Sequence, residues 1–222
     1  MTSGIKFEQV AVDFDGHLAL TNLTLDLTAK TTAIIGANGS GKSTLARLIN
    51  GLAKPTSGKV TVLGEKPNTK SVGFLFSNPD LQIVMPTVSE DVAFSLKGKK
   101  LTSDELAAKV RNAIDSVGLE ELAQANCYTL SSGQKQLLAL AGVMVREPKV
   151  LVADEPTTLL DLENTKRISK LLHAQNFEQL VIVTHDLELA ATCEEAVWIE
   201  RGKLCKVGAS AEVISSYREF YS

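Results

Sequence analysis

Apolar and polar residues alternate over 5–12 and again over 23–27, the period-two pattern of half-buried antiparallel strands. The run 32–35 is apolar after Thr32, as a short buried strand is, and it enters a glycine-rich turn. A helix is predicted over Lys42–Asn50, after which Lys54-Pro55-Thr56-Ser57-Gly58 breaks the chain. Two more strands are predicted over 59–63 and 71–76. From 87 to 147 the pattern turns almost wholly helical, with pieces at 88–96, 104–117 and 134–145. Strands return over 150–153, Gln179–Val183, 196–200 and 203–207, with helices over 163–174 and 211–217. Such strand–helix alternation predicts an α/β fold, a parallel sheet with helices on its faces. The expected organisation is one domain over 1–222. Residues 1–86 and 148–222 form an α/β core with an antiparallel β part, and 87–147 form an inserted helical subdomain. There is no internal repeat and no low-complexity tract.

Composition narrows the picture. A chain of 222 residues suits one domain or a two-lobed unit, and 44% apolar content is enough for a sizeable core. Aromatic residues make up 5%, so aliphatic side chains must fill that core. The net charge of −3 gives no bulk attraction to nucleic acid or anionic lipid, so any phosphate binding must be local. Cys127, Cys193 and Cys205 show no Cys-x-x-Cys spacing and read as reduced thiols of a cytosolic protein, buried or half-buried and without a role. Residues 1–10 contain no basic segment followed by an apolar run, so no export signal is expected. The longest apolar stretch, 137–145, is far short of the ~20 residues a membrane helix needs, so an integral membrane protein is not expected.

The chemistry begins at Gly36-Ala37-Asn38-Gly39-Ser40-Gly41-Lys42-Ser43, which fits the G-x-x-x-x-G-K-[ST] pattern directly after a strand and opens a helix with Thr44 next. Glycines let the backbone curl so that successive N–H groups point at phosphate oxygens, and the helix start adds unpaired N–H groups and a positive dipole end. Lys42 can reach terminal phosphates, and Ser43 offers a hydroxyl to Mg²⁺. The four fixed positions coincide by chance about once in a hundred chains of this length.

A phosphate loop alone fits a kinase, a GTPase or a helicase. The apolar run 150–153, however, ends in Asp154 and Glu155. Asp154 is placed to hold the Mg²⁺ hydration shell, and Glu155 to orient or deprotonate an attacking water. Taken alone, the pair is equally an exposed strand end. Leu130-Ser131-Ser132-Gly133-Gln134 starts the helix that leads into this strand. Here the sequence resembles the ATP-binding-cassette (ABC) family, whose signature is Leu-Ser-Gly-Gly-Gln. The resemblance spans essentially the whole chain. It includes Glu155-Pro156-Thr157-Thr158-Leu159-Leu160-Asp161, which looks like the family's Walker B to D-loop run. It also includes Val181-Ile182-Val183-Thr184-His185-Asp186, which looks like the family's switch-histidine segment.

The resemblance implies a P-loop NTPase fold and hydrolysis of ATP with Mg²⁺, with Lys42, Glu155 and His185 as catalytic residues. Ser131, Ser132, Gly133 and Gln134, in the signature, would face the nucleotide of a second cassette, so a homodimer is favoured, and Asp161 is a further nucleotide-binding residue. Phe14 is expected to stack on adenine and His185 to touch the γ-phosphate, although strand aromatics and capping histidines are common.

Two positions depart from the family pattern. Ser132 replaces the signature's first glycine. Ser77, in Val72-Gly73-Phe74-Leu75-Phe76-Ser77-Asn78-Pro79-Asp80-Leu81-Gln82, replaces a glutamine that in the family touches the Mg²⁺ shell and couples to the membrane partner; Gln82 or a water could substitute for it. The stretches 78–82, 88–94, 134–143 and 153–162 look like the energy-coupling-factor branch of vitamin and metal-ion importers, most like the ATPase subunit of its biotin transporters. That implies an integral membrane coupling subunit, a substrate-binding membrane subunit and a peripheral place on the cytoplasmic face. Ile83, Val84, Met85 and Pro86 form an apolar patch suited to a partner helix, or else belong to the core. The rival readings are a soluble cassette acting on DNA or the ribosome, disfavoured by the negative charge and the lack of a coiled-coil insert or second cassette, and a low-turnover ATP-binding regulatory subunit. If Ser77 limits hydrolysis, Ser77→Gln should raise steady-state ATP turnover; an unchanged rate shows that Ser77 limits nothing.

Overall fold

In the computed structural model, residues 4–158 and 160–222 are described; residues 1–3 and Leu159, a member of the Glu155–Asp161 run, lie outside them. The first period-two stretches form a three-stranded antiparallel sheet in which β1 (Ile5–Phe14) is flanked by β2 (His17–Leu27) and β4 (Ser57–Val62). Ile5 and Phe7 are buried, as are Val10 and Val12, although the two pairs are out of phase. Gln9, at φ 50, lies where the register slips and resets the alternation so that both pairs face the core. Asn22, at φ 44, does the same between Leu20 and Leu23. This break in phase is why the sequence pattern places the second strand at 23–27, whereas β2 starts six residues earlier. Across the hairpin tip Phe14 pairs with His17, and Asp15 (φ 51) with Gly16 (φ 88) supplies the two positive φ values that a tight type I′ turn requires.

The second sheet has six strands in the order β5 (Val72–Leu75), β6 (Val150–Asp154), β7 (Gln179–Val183), β3 (Thr31–Ile35), β8 (Glu195–Glu200) and β9 (Lys203–Ala209). Strands β6 and β7, β7 and β3, and β3 and β8 run parallel, while β9 turns back antiparallel to β8. The α/β expectation with a parallel core and an antiparallel β part therefore holds. Ala33 to Ile35, Val150 to Ala153 and Val181 to Val183 are almost fully buried, the continuous apolar pattern of strands covered on both faces. Helix α1 (Lys42–Asn50) packs on β6 and β7 through Leu45, Leu48 and Ile49 and stops at Gly51, which takes φ 83 and donates its N–H to Leu48 O. Helix α7 (Ser210–Phe220) packs on β8 and β9. Helix α6 (Leu187–Ala190), one turn started by the Asp186 cap, is too short to leave a helical period in the sequence.

The chain forms two compact units. The first comprises the residues through Phe74, Lys149–Glu155 and Phe177–Ser222; the second comprises Leu75–Pro148 and Pro156–Asn176. The second unit holds α2 (Val88–Phe94), α3 (Ser103–Ser116), α4 (Ser132–Met144) and α5 (Leu162–Ala174). Reciprocal capping boxes start three of them: Thr87 with Glu90, Thr102 with Glu105, and Ser131 with Gln134. Helix α4 buries every residue from Gln136 to Val143, so it is the core of this unit, and α2 and α3 pack on it. Asp91, 5% exposed, accepts hydrogen bonds on Oδ1 from the N–H groups of Val84 (2.8 Å) and Met85 (3.0 Å) and so fixes the apolar segment 83–86. Within that segment Val84 and Pro86 are exposed and Ile83 and Met85 half-buried, so the patch is not core.

Cys127 and Cys193 are buried, and burial pushes the Cys193 thiol up to about 12. Cys205 departs from expectation: it is exposed because β9 is an edge strand with one face toward solvent. Among the described residues no helix is long and apolar enough to cross a membrane.

Candidate active site

In the first unit, β3 delivers the chain into the loop Gly36 to Gly41, and α1 carries it away. Gly36 (φ 150), Gly39 (φ 76) and Gly41 (φ 104) give the loop its curl. At Gly36 a Cβ would lie 2.0 Å from Ile199 O, and at Gly41 2.6 Å from Ala19 O, so the backbones of β8 and β2 press on the loop where side chains are missing. The Lys42 ammonium, 6% exposed with the rest of its residue, donates to Gly36 O (2.8 Å) and Ala37 O (2.9 Å) and thereby arches over the loop. Burial pulls its pKa down, while the carboxylates of Glu155, Asp154 and Glu200 oppose that fall. The hydroxyl of Ser40 is buried without a hydrogen-bond partner. A buried orphan hydroxyl inside a glycine cradle beside a lysine fits an anionic group such as a phosphate.

Strand β6 brings the acids to the same place. Its pairing with β7 sets Asp154 opposite Val183, and the β3–β7 pairing sets Ile34 opposite the same Val183. Ser43, in the first turn of α1, donates from Oγ to Asp154 Oδ1 at 3.1 Å. Two hard oxygens at this spacing fit Mg²⁺, an ion that completes its octahedron with waters and substrate phosphates. Burial raises the Asp154 pKa, and Glu155 reinforces the rise; the Ser43 bond, Arg47 and Lys42 act against it.

Glu155 follows in the left-handed region at φ 50, unusual for a side chain of its kind, with its N–H on Val183 O at 2.8 Å. Backbone strain of this sort costs about 1–3 kcal/mol and persists where the surroundings over-determine it. The kink turns the carboxylate toward the loop after β7, where Oε2 lies 2.8 Å from His185 Nδ1. His185 is itself held by its neighbours: the Asp186 N–H donates to Thr184 Oγ1 at 3.0 Å, and Asp186 Oδ1 caps Glu188 and Leu189. The Glu155–His185 pair was not legible in the sequence, because a contact between residues thirty positions apart leaves no local pattern. Such a pair can orient a water and take its proton. Phe14, 54% exposed at the hairpin tip, offers an uncovered ring for stacking.

Ser131, Ser132, Gly133, Gln134 and Asp161 all belong to the second unit. Ser131 caps α4, Gln134 Oε1 accepts from Ser131 N at 2.9 Å, and Asp161 caps α5. Ser77 is exposed in the same unit. Gln82 is not free to replace the missing glutamine: Oε1 accepts from Phe76 N at 3.4 Å and Nε2 donates to Ala139 O at 3.0 Å. Gln136, almost fully buried, holds the other side of Phe76 through its carbonyl at 3.2 Å. Sequence reasoning missed Gln136 and Asp91 as positioning groups, although a polar residue inside an apolar helical run is a detectable signal.

Comparison with known proteins agrees with this geometry. The ABC transporter family matches residues 20–158. The biotin transport ATP-binding protein BioM of Rhizobium etli is 42% identical over 97% of this chain and 98% of its own length. The energy-coupling factor transporter ATP-binding protein EcfA1 of Leuconostoc mesenteroides is 35% identical over 100% of this chain and 86% of its own. The dimeric post-hydrolysis structure of the cassette MJ0796 bound to ADP and Pi matches with a TM-score of 0.82 at 26% identity, covering 93% of this chain and 98% of that one. The chain belongs to the ABC transporter family and is one of its ATP-binding ATPases, and its resemblance to the energy-coupling-factor branch is borne out by these relatives.

Asp154→Asn tests the acid site. Since the folded state favours the protonated acid, the stability Asp154 contributes is present at low pH and is lost as pH rises through its raised folded pKa. Asparagine removes that loss and still accepts from Ser43. At neutral pH and without nucleotide the variant is therefore expected to melt no lower than the unsubstituted protein, while ATP turnover falls. A lower melting temperature or intact turnover contradicts this account.

Proposed function

We propose that this chain is the ATP-hydrolysing subunit of an energy-coupling-factor importer for a vitamin or a metal ion, with biotin the favoured solute. One observation carries the reading: within a single unit, Ser43 and Asp154 at 3.1 Å and Glu155 and His185 at 2.8 Å meet beside the loop that Lys42 covers. In this reading Gly36 to Thr44 cradle the triphosphate, Lys42 balances its terminal charge, and Ser43 and Asp154 hold Mg²⁺. Glu155 takes the proton of the water that attacks the terminal phosphorus, and His185 releases Glu155 to contact the γ-phosphate. Phe14 stacks on the adenine. Residues 1–222 act as one cassette, and the helical subdomain lends Ser131 to Gln134, with Asp161 beyond it, to the nucleotide of a second copy. The dimeric form of the MJ0796 relative supports this pairing.

The apolar segment 83–86, held outside the core by Asp91, is the surface proposed to receive an integral membrane coupling subunit. A separate membrane subunit binds the solute, and the cassette is peripheral on the cytoplasmic face. Similarity to BioM supports biotin, since that relative is a biotin transport protein. Ser77, exposed and unassisted by Gln82, supports slow or loosely coupled turnover.

Steady-state phosphate release is expected to fall about 10²–10⁴-fold in Glu155→Gln while ATP still binds; wild-type release in that variant refutes the assignment of Glu155. For the partner, Ile83→Glu and Met85→Glu should abolish co-purification with membrane proteins and leave ATP binding intact. Loss of both together means that these residues serve folding instead.

A further inference from the structure

Asp161 caps α5 by accepting the Asn164 N–H on Oδ1 at 2.8 Å. The same oxygen also accepts from the Asn164 side chain, Nδ2, at 2.9 Å. The cap needs only the first bond; the second fixes the asparagine carboxamide. That carboxamide lies flat against Gly133. A Cβ at position 133 would stand 2.7 Å from its Cγ, 2.8 Å from Nδ2 and 2.9 Å from Oδ1, well inside the ~3.5 Å of ordinary contact. A side chain at 133 would therefore push the carboxamide out of the position in which it bonds Asp161. The start of α4 is already held by the Ser131–Gln134 capping box. Nearby, Ser77 to Asp80 join the same two segments, through Ser132, Lys135, Thr158 and Leu160 among others, in lining a cavity of about 480 Å³, so the two are not packed together along their whole length.

We propose that Asn164 is a positioning residue that ties Asp161 to the signature helix, so that one cassette presents both to its mate's nucleotide at a fixed separation. The proposal rests on the paired-cassette reading above. It also gives Gly133 a role within its own cassette: its missing side chain leaves the space in which the Asn164 carboxamide lies. Without the tie, the Asn164 N–H alone still holds the exposed Asp161 carboxylate, and nothing fixes that carboxylate relative to α4 when two copies close on ATP.

The test uses the full-length protein. In a Glu155→Gln background, ATP-dependent dimerisation is followed by light scattering for Asn164→Ala, Gly133→Ala and the double variant. Monomer binding of a fluorescent ATP analogue and thermal melting are measured alongside. Loss of one hydrogen bond to a charged acceptor should raise the ATP concentration for half-maximal dimerisation by about tenfold in Asn164→Ala, with monomer binding unchanged and melting lowered by no more than a few degrees. In the catalytically intact background KM should rise by a similar factor with kcat little altered. Gly133→Ala should match or exceed this effect, and adding Asn164→Ala to it should cause no further loss. Unchanged dimerisation in Asn164→Ala, independent multiplying effects in the double variant, or loss of monomer binding each overturns the proposal alone. A Glu155→Gln protein that stays monomeric at saturating ATP overturns the paired-cassette reading and the proposal with it.

Discussion

The site depends on the parallel register of three buried strands. Because β6, β7 and β3 run the same way and Val183 stands opposite both Asp154 and Ile34, their carboxyl ends reach one edge of the sheet together. Whatever follows each strand must emerge there: the phosphate loop after β3, the acidic pair at the end of β6, and the histidine turn after β7. Parallel strands are buried on both faces, so that edge is where their chain ends meet solvent and where ligands bind in open α/β sheets. Aliphatic burial, through Ile34, Val152 and Val183, is what holds the polar groups in place.

Once gathered, those groups are costly to keep. An ammonium and an acid, Lys42 and Asp154, are both nearly buried, and each is shifted by burial toward its neutral form. Neither is left unpaired: Lys42 fills the loop's own carbonyls and Asp154 takes the Ser43 hydroxyl. In the proposed function these bonds stand where phosphate and cation contacts would form, so ligand binding would exchange one set of partners for another instead of creating charge interactions from nothing. The left-handed backbone at Glu155 belongs to the same economy, because only a kinked strand end turns its carboxylate toward His185.

The second unit solves a different problem. It is built on one helix, α4, apolar nearly all round, and its polar devices sit at element starts: capping boxes at Thr87, Thr102 and Ser131, and the Asp161–Asn164 pair. Asp91 and the two glutamines, Gln82 and Gln136, fix the connecting backbone between Phe76 and Met85. That backbone carries both Ser77 and the apolar segment 83–86, so the residues that hold it also set what the segment can present to a partner.

The local chain was readable wherever chemistry and period coincide. Gly36 to Ser43 announces itself because a phosphate loop needs glycine, lysine and a hydroxyl at fixed spacing, and β6 and β7 because buried strands are uninterrupted aliphatic runs. Reading failed where a bulge shifted the phase, at Asn22 within β2, and where an element was one turn long, at α6. Edge position exposed Cys205, which no local pattern reveals. The sequence by itself thus determined the motifs, most elements and the class of chemistry, since these follow from residue type and spacing. Only tertiary structure decided that Glu155 pairs with His185, that Gln82 is committed to Phe76 and Ala139, and that Asn164 fills the space beside Gly133. Apart from the short reach of Gln82 to Phe76, each is a contact between segments distant in sequence, set by register and packing.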